Sequence, residues 1–278
     1  MTDILIAPAT NEAPSHYPPY VIERVDHTRF TKRLNSFRIS GSLRIVPEPS
    51  QSRGFRASGL STCLRQTGYR LLGIKQTDDT YNQDNQLAAD QGTAIHVRIQ
   101  QQLVGAGMVL RHANYQHAER RDAALELSLD QTAQGEDRDR ILRWNFTGHI
   151  DAVLEDNNGD LAIFDLKTGK PELLQEDYEY LPEKLQSYAC QTTSYMAHFS
   201  APDGRKALTT YVYMISRGET KIRALYRVPW QPERWAIDAA RLDVATVLVQ
   251  QGNLPPAEAG KDCKFCGWRS RCRKGLGE

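Results

Sequence analysis

The sequence predicts an α/β fold with a mixed central sheet. Three observations carry that expectation. Apolar residues recur at helical spacing in three separate stretches. Short runs of strand length lie between them. Helix and strand segments alternate along the chain rather than being grouped by type. The 278 residues suffice for a sizeable core, and 40% hydrophobic with 25% charged residues excludes wholesale disorder and a fibrous rod. No apolar run reaches the ~18 residues of a membrane helix. Met1–Tyr20 lacks the basic-then-apolar pattern of a secretory leader, so a cytoplasmic address with no membrane contact is expected.

In chain order, residues 1–22 carry Pro8, Pro14, Pro18 and Pro19 among small and polar residues and read as a flexible tail. Arg24–Lys75 holds eleven Lys or Arg and two acids, Asp26 and Glu48, so the net charge of +1 hides a basic N-terminal third. That stretch is either an Arg-rich solvated surface or a groove facing phosphates. Leu87, Ile95, Ile99 and Leu103 predict a helix over 82–105. Strands are expected at 122–129, 141–154 and Leu161–Lys167, the last two joined by a hairpin at Asn157-Asn158-Gly159-Asp160. A helix over 181–198 and strands at Leu208–Ile215 and 221–228 follow. Pro232 opens a helix to 250 with Trp235, Ala239, Leu242 and Val249 on one face, and Pro255-Pro256 ends the helical region.

The chemistry is concentrated around the hairpin. Side chains alternate along a strand, so Asp165 and Lys167 share one face and Phe164 and Leu166 the other. The turn folds Asp151 back beside them. Apolar flanks at Ile150, Val153, Ile163 and Phe164 put these charges next to a core, where a charge needs a partner or a metal. Two carboxylates can hold a hard cation such as Mg²⁺ or Mn²⁺, which activates water and neutralises charge at phosphorus, with a lysine to position the water or stabilise the charge.

Gly148–Asp151, the turn, and Asp165-Leu166-Lys167-Thr168-Gly169 resemble the PD-(D/E)xK nuclease superfamily, and its RecB-like exonuclease branch in particular. The resemblance implies a restriction-endonuclease-like core. It also implies that His96, in Gly92-Thr93-Ala94-Ile95-His96, ligates metal with Asp151 and Asp165, and that Lys167 is the catalytic lysine. The branch's Gln-x-x-x-Tyr motif is matched by Gln191 and Tyr195, an i, i+4 pair able to face the site together. Gln186 and Tyr188 offer a rival register with the wrong spacing.

Five cysteines in a reducing compartment are poor disulfide material. Cys263, Cys266 and Cys272 have metal-ligand spacing, one thiolate short of a full set, and Cys63 lies 200 residues upstream. By chemistry four thiolates suit zinc or an iron–sulfur cluster. One cysteine before the core and three after it resembles the CRISPR-associated RecB-like nucleases and related helicase–nucleases. That implies a [4Fe–4S] cluster on Cys63, Cys263, Cys266 and Cys272, stapling the chain ends around a single nuclease domain over 23–278. This domain has a core near 82–230 and cysteine segments near 57–75 and 255–274. Cys190 reads as a small core residue.

The function expected from this resemblance is a metal-dependent DNA exonuclease, acting on single-stranded or duplex ends in recombination, repair or mobile-element processing. The alternatives are a subunit trimming prespacer ends in an integrase complex and a non-catalytic iron–sulfur DNA-binding subunit. An integrase, helicase or recombinase partner fits, because the sequence has no Walker A motif of its own. Arg65, Arg70, Arg269 and Arg271 flank the cysteines and are expected to face DNA, and Tyr69 and Trp268 either stack bases or pack in the core.

Overall fold

The computed structural model describes residues 18–37, 54–78, 83–115, 122–175, 178–218, 223–258, 263–264 and 266–275. In chain order these form β1 (Glu23–Val25), α1 (Thr28–Asn35), β2 (Phe55–Arg56), α2 (Leu64–Leu71), α3 (Gln83–Gly105), β3 (Leu125–Ser128) and α4 (Leu129–Thr132). There follow α5 (Gly135–Trp144), β4 (Phe146–Thr147), β5 (His149–Glu155), β6 (Leu161–Gly169), α6 (Leu181–His198), β7 (Thr209–Ser216), β8 (Arg223–Pro229), α7 (Pro232–Gln250) and α8 (Arg269–Gly275). A six-stranded sheet runs β1-β8-β7-β6-β5-β3, and β2 pairs with β4 in a small parallel ribbon. Within the large sheet β6 and β7 are parallel and the other pairs antiparallel, so the sheet is mixed, as expected. The parallel pair requires a crossover, and α6 supplies it.

The two faces of β6 divide the molecule. Phe164 stacks on Phe30 of α1 at 5.7 Å and meets Tyr213 of β7, which closes one face together with α3. On the other face α6 lies against β6, β7 and β8, with α5 and α7 packed against it. Ile150, Val153, Ile163 and Phe164 are fully buried, so β5 and β6 run through the core. The hairpin between them turns at Asp156–Asp160. Gly159 has φ +84, and the Asp156 carboxylate accepts the N–H groups of Asn158 and Asp160 at 2.8 and 2.9 Å.

Three elements differ from the sequence expectation. The strand expected over 141–154 begins as helix, because α5 runs to Trp144. Glu136 and Asp137 lie in its first turn and Arg143 in its last, matching the helix dipole, while Ile141 and Trp144 share its buried side. Asn145 then adopts the left-handed conformation that ends a helix (φ 47). The strand expected over 122–129 gives way to α4 at Leu129. The end of the stretch read as a tail is clasped by the domain. Gln186 pairs with the Tyr20 N–H and C=O at 2.7 and 3.0 Å, and Gln231 does the same for Val21 at 2.7 and 3.1 Å. Residues 1–17 lie outside the described residues. Among the described residues no helix is long and apolar enough to cross a membrane.

Candidate active site

Strand pairing builds the centre of the site. The β5–β6 ladder stops at Ala152–Phe164, and the next amide on β6 that faces β5, Leu166 N–H, donates 2.6 Å to the Asp151 carboxylate instead. The strands thus part where the two acids stand, and Asp151 replaces the lost ladder bond. Asp165, 2% exposed, holds Lys167 Nζ at 2.9 and 3.1 Å through its two oxygens.

Two helices complete it from either side. On α3, a Cβ at Gly92 would stand 2.9 Å from Thr168 Oγ1, so glycine allows the helix to close on the end of β6. One turn later His96 Nδ1 comes 3.6 Å from Asp151 Oδ2. On α6, Gln191 Oε1 accepts Lys167 Nζ at 3.0 Å, and its Nε2 donates to Tyr195 OH at 2.6 Å and to Asp165 at 3.5 Å. The structure therefore brings together His96, Asp151, Asp165, Lys167, Gln191 and Tyr195. The Gln191–Tyr195 register reaches the site, whereas Gln186 faces the opposite way, onto Tyr20.

Burial and mutual attraction compete in setting the charge on these groups. Burial and the nearby Asp151 push the Asp165 pKa up to about 6, against the pull of Lys167. Burial also works to raise Asp151, but His96, Lys167 and the Leu166 amide outweigh it and hold this carboxyl below its ordinary value. Burial opposes charge on Lys167 and on His96, yet the two aspartates keep the lysine, and Asp151 the histidine, above their usual pKa values. The oxygen-rich donor set suits a divalent ion.

Two more residues stand near these groups: Glu126, which the sequence reading missed, and Tyr188, which it placed only in the rival register. Glu126 lies on β3 opposite Asp151, because Leu125 pairs with Ala152 and Leu127 with Ile150. Donor atoms of His96, Glu126 and Asp151 all lie within 4.8 Å of one another, a group that could hold a metal ion. Tyr188 places its ring 5.2 Å from Lys167 Nζ, one turn before Gln191 on the same face of α6. The i, i+3 spacing was a usable signal for Tyr188. Nothing local marked Glu126.

Cys63 and Cys263 approach the same residue, Glu258, from the two ends of the domain. The Glu258 N–H donates to Cys63 Sγ at 3.3 Å, and Cys263 Sγ lies 4.0 Å from the Glu258 carbonyl. The Cys266 N–H donates to the Cys263 carbonyl at 3.2 Å in a tight turn, and Cys272 sits in α8. Burial raises the Cys63 thiol pKa, while the backbone amides of Glu258, Arg65 and Gln66 favour its thiolate. Amides aimed at the Cys63 sulfur suit a thiolate. Cys190 is buried elsewhere, 3.4 Å from Asp238.

Of the two readings open for the flanking aromatic residues, base stacking and core packing, the structure shows core packing. Tyr69 and Trp268, 3% and 5% exposed, stack on each other at 5.7 Å, and Trp268 Nε1 donates to the Ile74 carbonyl at 2.8 Å. They close the ends of the domain and offer no free face to a base. Arg65 and Arg70 lie on α2, bonded to Tyr69 OH and the Gly54 carbonyl, and Arg269 and Arg271 lie on α8.

A family model described as the PD-(D/E)XK nuclease superfamily matches residues 78–273. No curated protein matches the chain. A solved structure described as "Crystal structure of SSO0001" is similar over 89% of this chain and 96% of that one, at 18% identity and a TM-score of 0.48.

Proposed function

The chain belongs to the PD-(D/E)XK nuclease superfamily, and from that premise we propose that it is a metal-dependent exonuclease of the RecB-like branch, trimming DNA ends. The observation that carries this reading is the convergence of His96, Asp151, Asp165 and Lys167 at the point where β5 and β6 part. His96, Asp151 and Asp165 would hold Mg²⁺ or Mn²⁺. That ion supplies Lewis-acid stabilisation of charge at phosphorus and an acidified water. Lys167, kept protonated by its two carboxylate neighbours, acts as a donor to the developing charge rather than as a base. Gln191 fixes the ammonium from α6, and Tyr195 fixes Gln191.

The exonuclease reading is supported by the Gln191–Tyr195 pair and by the meeting of Cys63 with the C-terminal cysteine segment. In our reading Cys63, Cys263, Cys266 and Cys272 carry a [4Fe–4S] cluster that closes the domain, and the arginines on α2 and α8 border the DNA path. An integrase, helicase or recombinase partner is compatible with this role. The test is digestion of end-labelled single- and double-stranded DNA with Mg²⁺ or Mn²⁺. Stepwise shortening from an end is expected. Internal cuts in a closed circle at an equal rate would reject the exonuclease assignment, and no cleavage of any substrate would reject the enzyme.

A further inference from the structure

Glu126 is exposed between the buried Leu125 and Leu127 of β3, as strand alternation dictates, yet its side chain is not left to solvent alone. Its backbone is left-handed, φ +47, a conformation that non-glycine residues adopt at a cost and that clusters at functional sites. The side chain is gripped by Gln100, whose amide donates both to the Glu126 carboxylate and, at 3.0 Å, to the Asp151 carbonyl. Gln100 is four residues after His96 on α3, so one helix face presents a potential ligand and the group that orients another. Asp165 Oδ1 accepts Lys167 Nζ, and its buried Oδ2, though 2.9 Å from that ammonium, has no aligned hydrogen bond among the described residues.

We propose that Glu126 is a further metal ligand, joining His96, Asp151 and Asp165 in one divalent-cation site, with Gln100 as its positioning residue. The inference rests on the nuclease reading above and adds to it a ligand from the edge strand. Four donors from four elements leave the remaining positions to water and substrate oxygen, as a catalytic ion requires. One imidazole among carboxylates favours Mn²⁺ over Mg²⁺, which prefers oxygen alone.

The measurement is Mn²⁺ binding to the full chain without DNA, read from loss of the free-ion paramagnetic resonance signal. Glu126→Gln, which keeps the hydrogen bond to Gln100, should weaken binding about tenfold or more, as should Asp151→Asn. Glu126→Asn tolerates the left-handed backbone, so its melting temperature should stay level or rise while Mn²⁺ affinity falls. A purely structural glutamate would give the reverse, with melting lowered and affinity kept. If both Glu126 variants bind Mn²⁺ like the wild type while Asp151→Asn does not, the ligand assignment is overturned and the nuclease reading stands. A wild-type chain that neither binds Mn²⁺ nor cuts DNA overturns both.

Discussion

The carboxylate site and the cysteine closure each gather residues from across the chain, but they are held by different forces. The acids and Lys167 ride on neighbouring strands, so the ladder and the Leu166–Asp151 bond fix them whatever occupies the site. The closure joins α2 to residues 254–275 through a few contacts: the Tyr69–Trp268 stack, two amides on the Gly267 carbonyl, and Ser270 on Asp78. Behind it lies a buried relay. Arg241 bonds Glu258 at 2.5 Å and the fully buried Asp238 at 3.1 Å, and Asp238 also receives Arg234 and Tyr20. A site built on a sheet should survive the loss of its ion. A closure between distant segments should depend on its cross-link.

The sharpest break between the two is Asp165→Asn. Cleavage of end-labelled DNA should fall at least about a thousandfold, about 4 kcal/mol of barrier, with a melting curve close to wild type. A variant that melts far lower would show the acid to be structural.

Cys63→Ser should do the opposite. A cluster bridging Cys63 and Cys263 closes a loop of about 200 residues, and a covalent link of that span is worth about 4–5 kcal/mol. We expect loss of iron, of absorbance in the visible range, and of solubility, with Cys190→Ala keeping all three. Stoichiometric zinc without iron in anaerobically purified protein would replace the cluster by a zinc staple.

Arg241→Met tests the relay. It strips a partner from buried Asp238 and from Glu258, and should cost about 3 kcal/mol in denaturant unfolding. Iron retention should fall with it, while Mn²⁺ binding at the carboxylates is unchanged. Equal loss of both metals would erase the distinction between the regions.

The smallest effect concerns His198 at the end of α6, boxed by Trp144, Phe146 and Trp235. Burial lowers its pKa from 6.5 to about 4. The unfolded chain therefore takes up this proton first, and stability falls as pH drops from 6.5 toward 4, by about 2 kcal/mol at pH 5. His198→Phe should remove that slope in melting curves taken between those pH values. An unchanged slope would assign the acid sensitivity to other groups.

Much of this molecule was legible without coordinates. Helical periodicity set α6 at Leu181–His198 and α7 at Pro232–Gln250, and Asn157–Asp160 marked the hairpin, because those signals are local. The Asp-x-Lys alternation and the Gln191–Tyr195 spacing also survive into the structure, since a strand or helix period is a property of neighbouring residues. Other features are long-range. Between two leucines Glu126 reads as a solvent residue, and only the pairing of β3 with β5 and a left-handed backbone bring it to Asp151. Tyr69 and Trp268 stay open between base stacking and core packing until the chain ends meet and bury both. Tyr20 reads as tail until Gln186, Gln231 and Asp238, all more than 160 positions away, take its hydrogen bonds and those of Val21. Periodicity carries the elements, but the partners that satisfy a buried polar group are chosen by packing, which no local window contains.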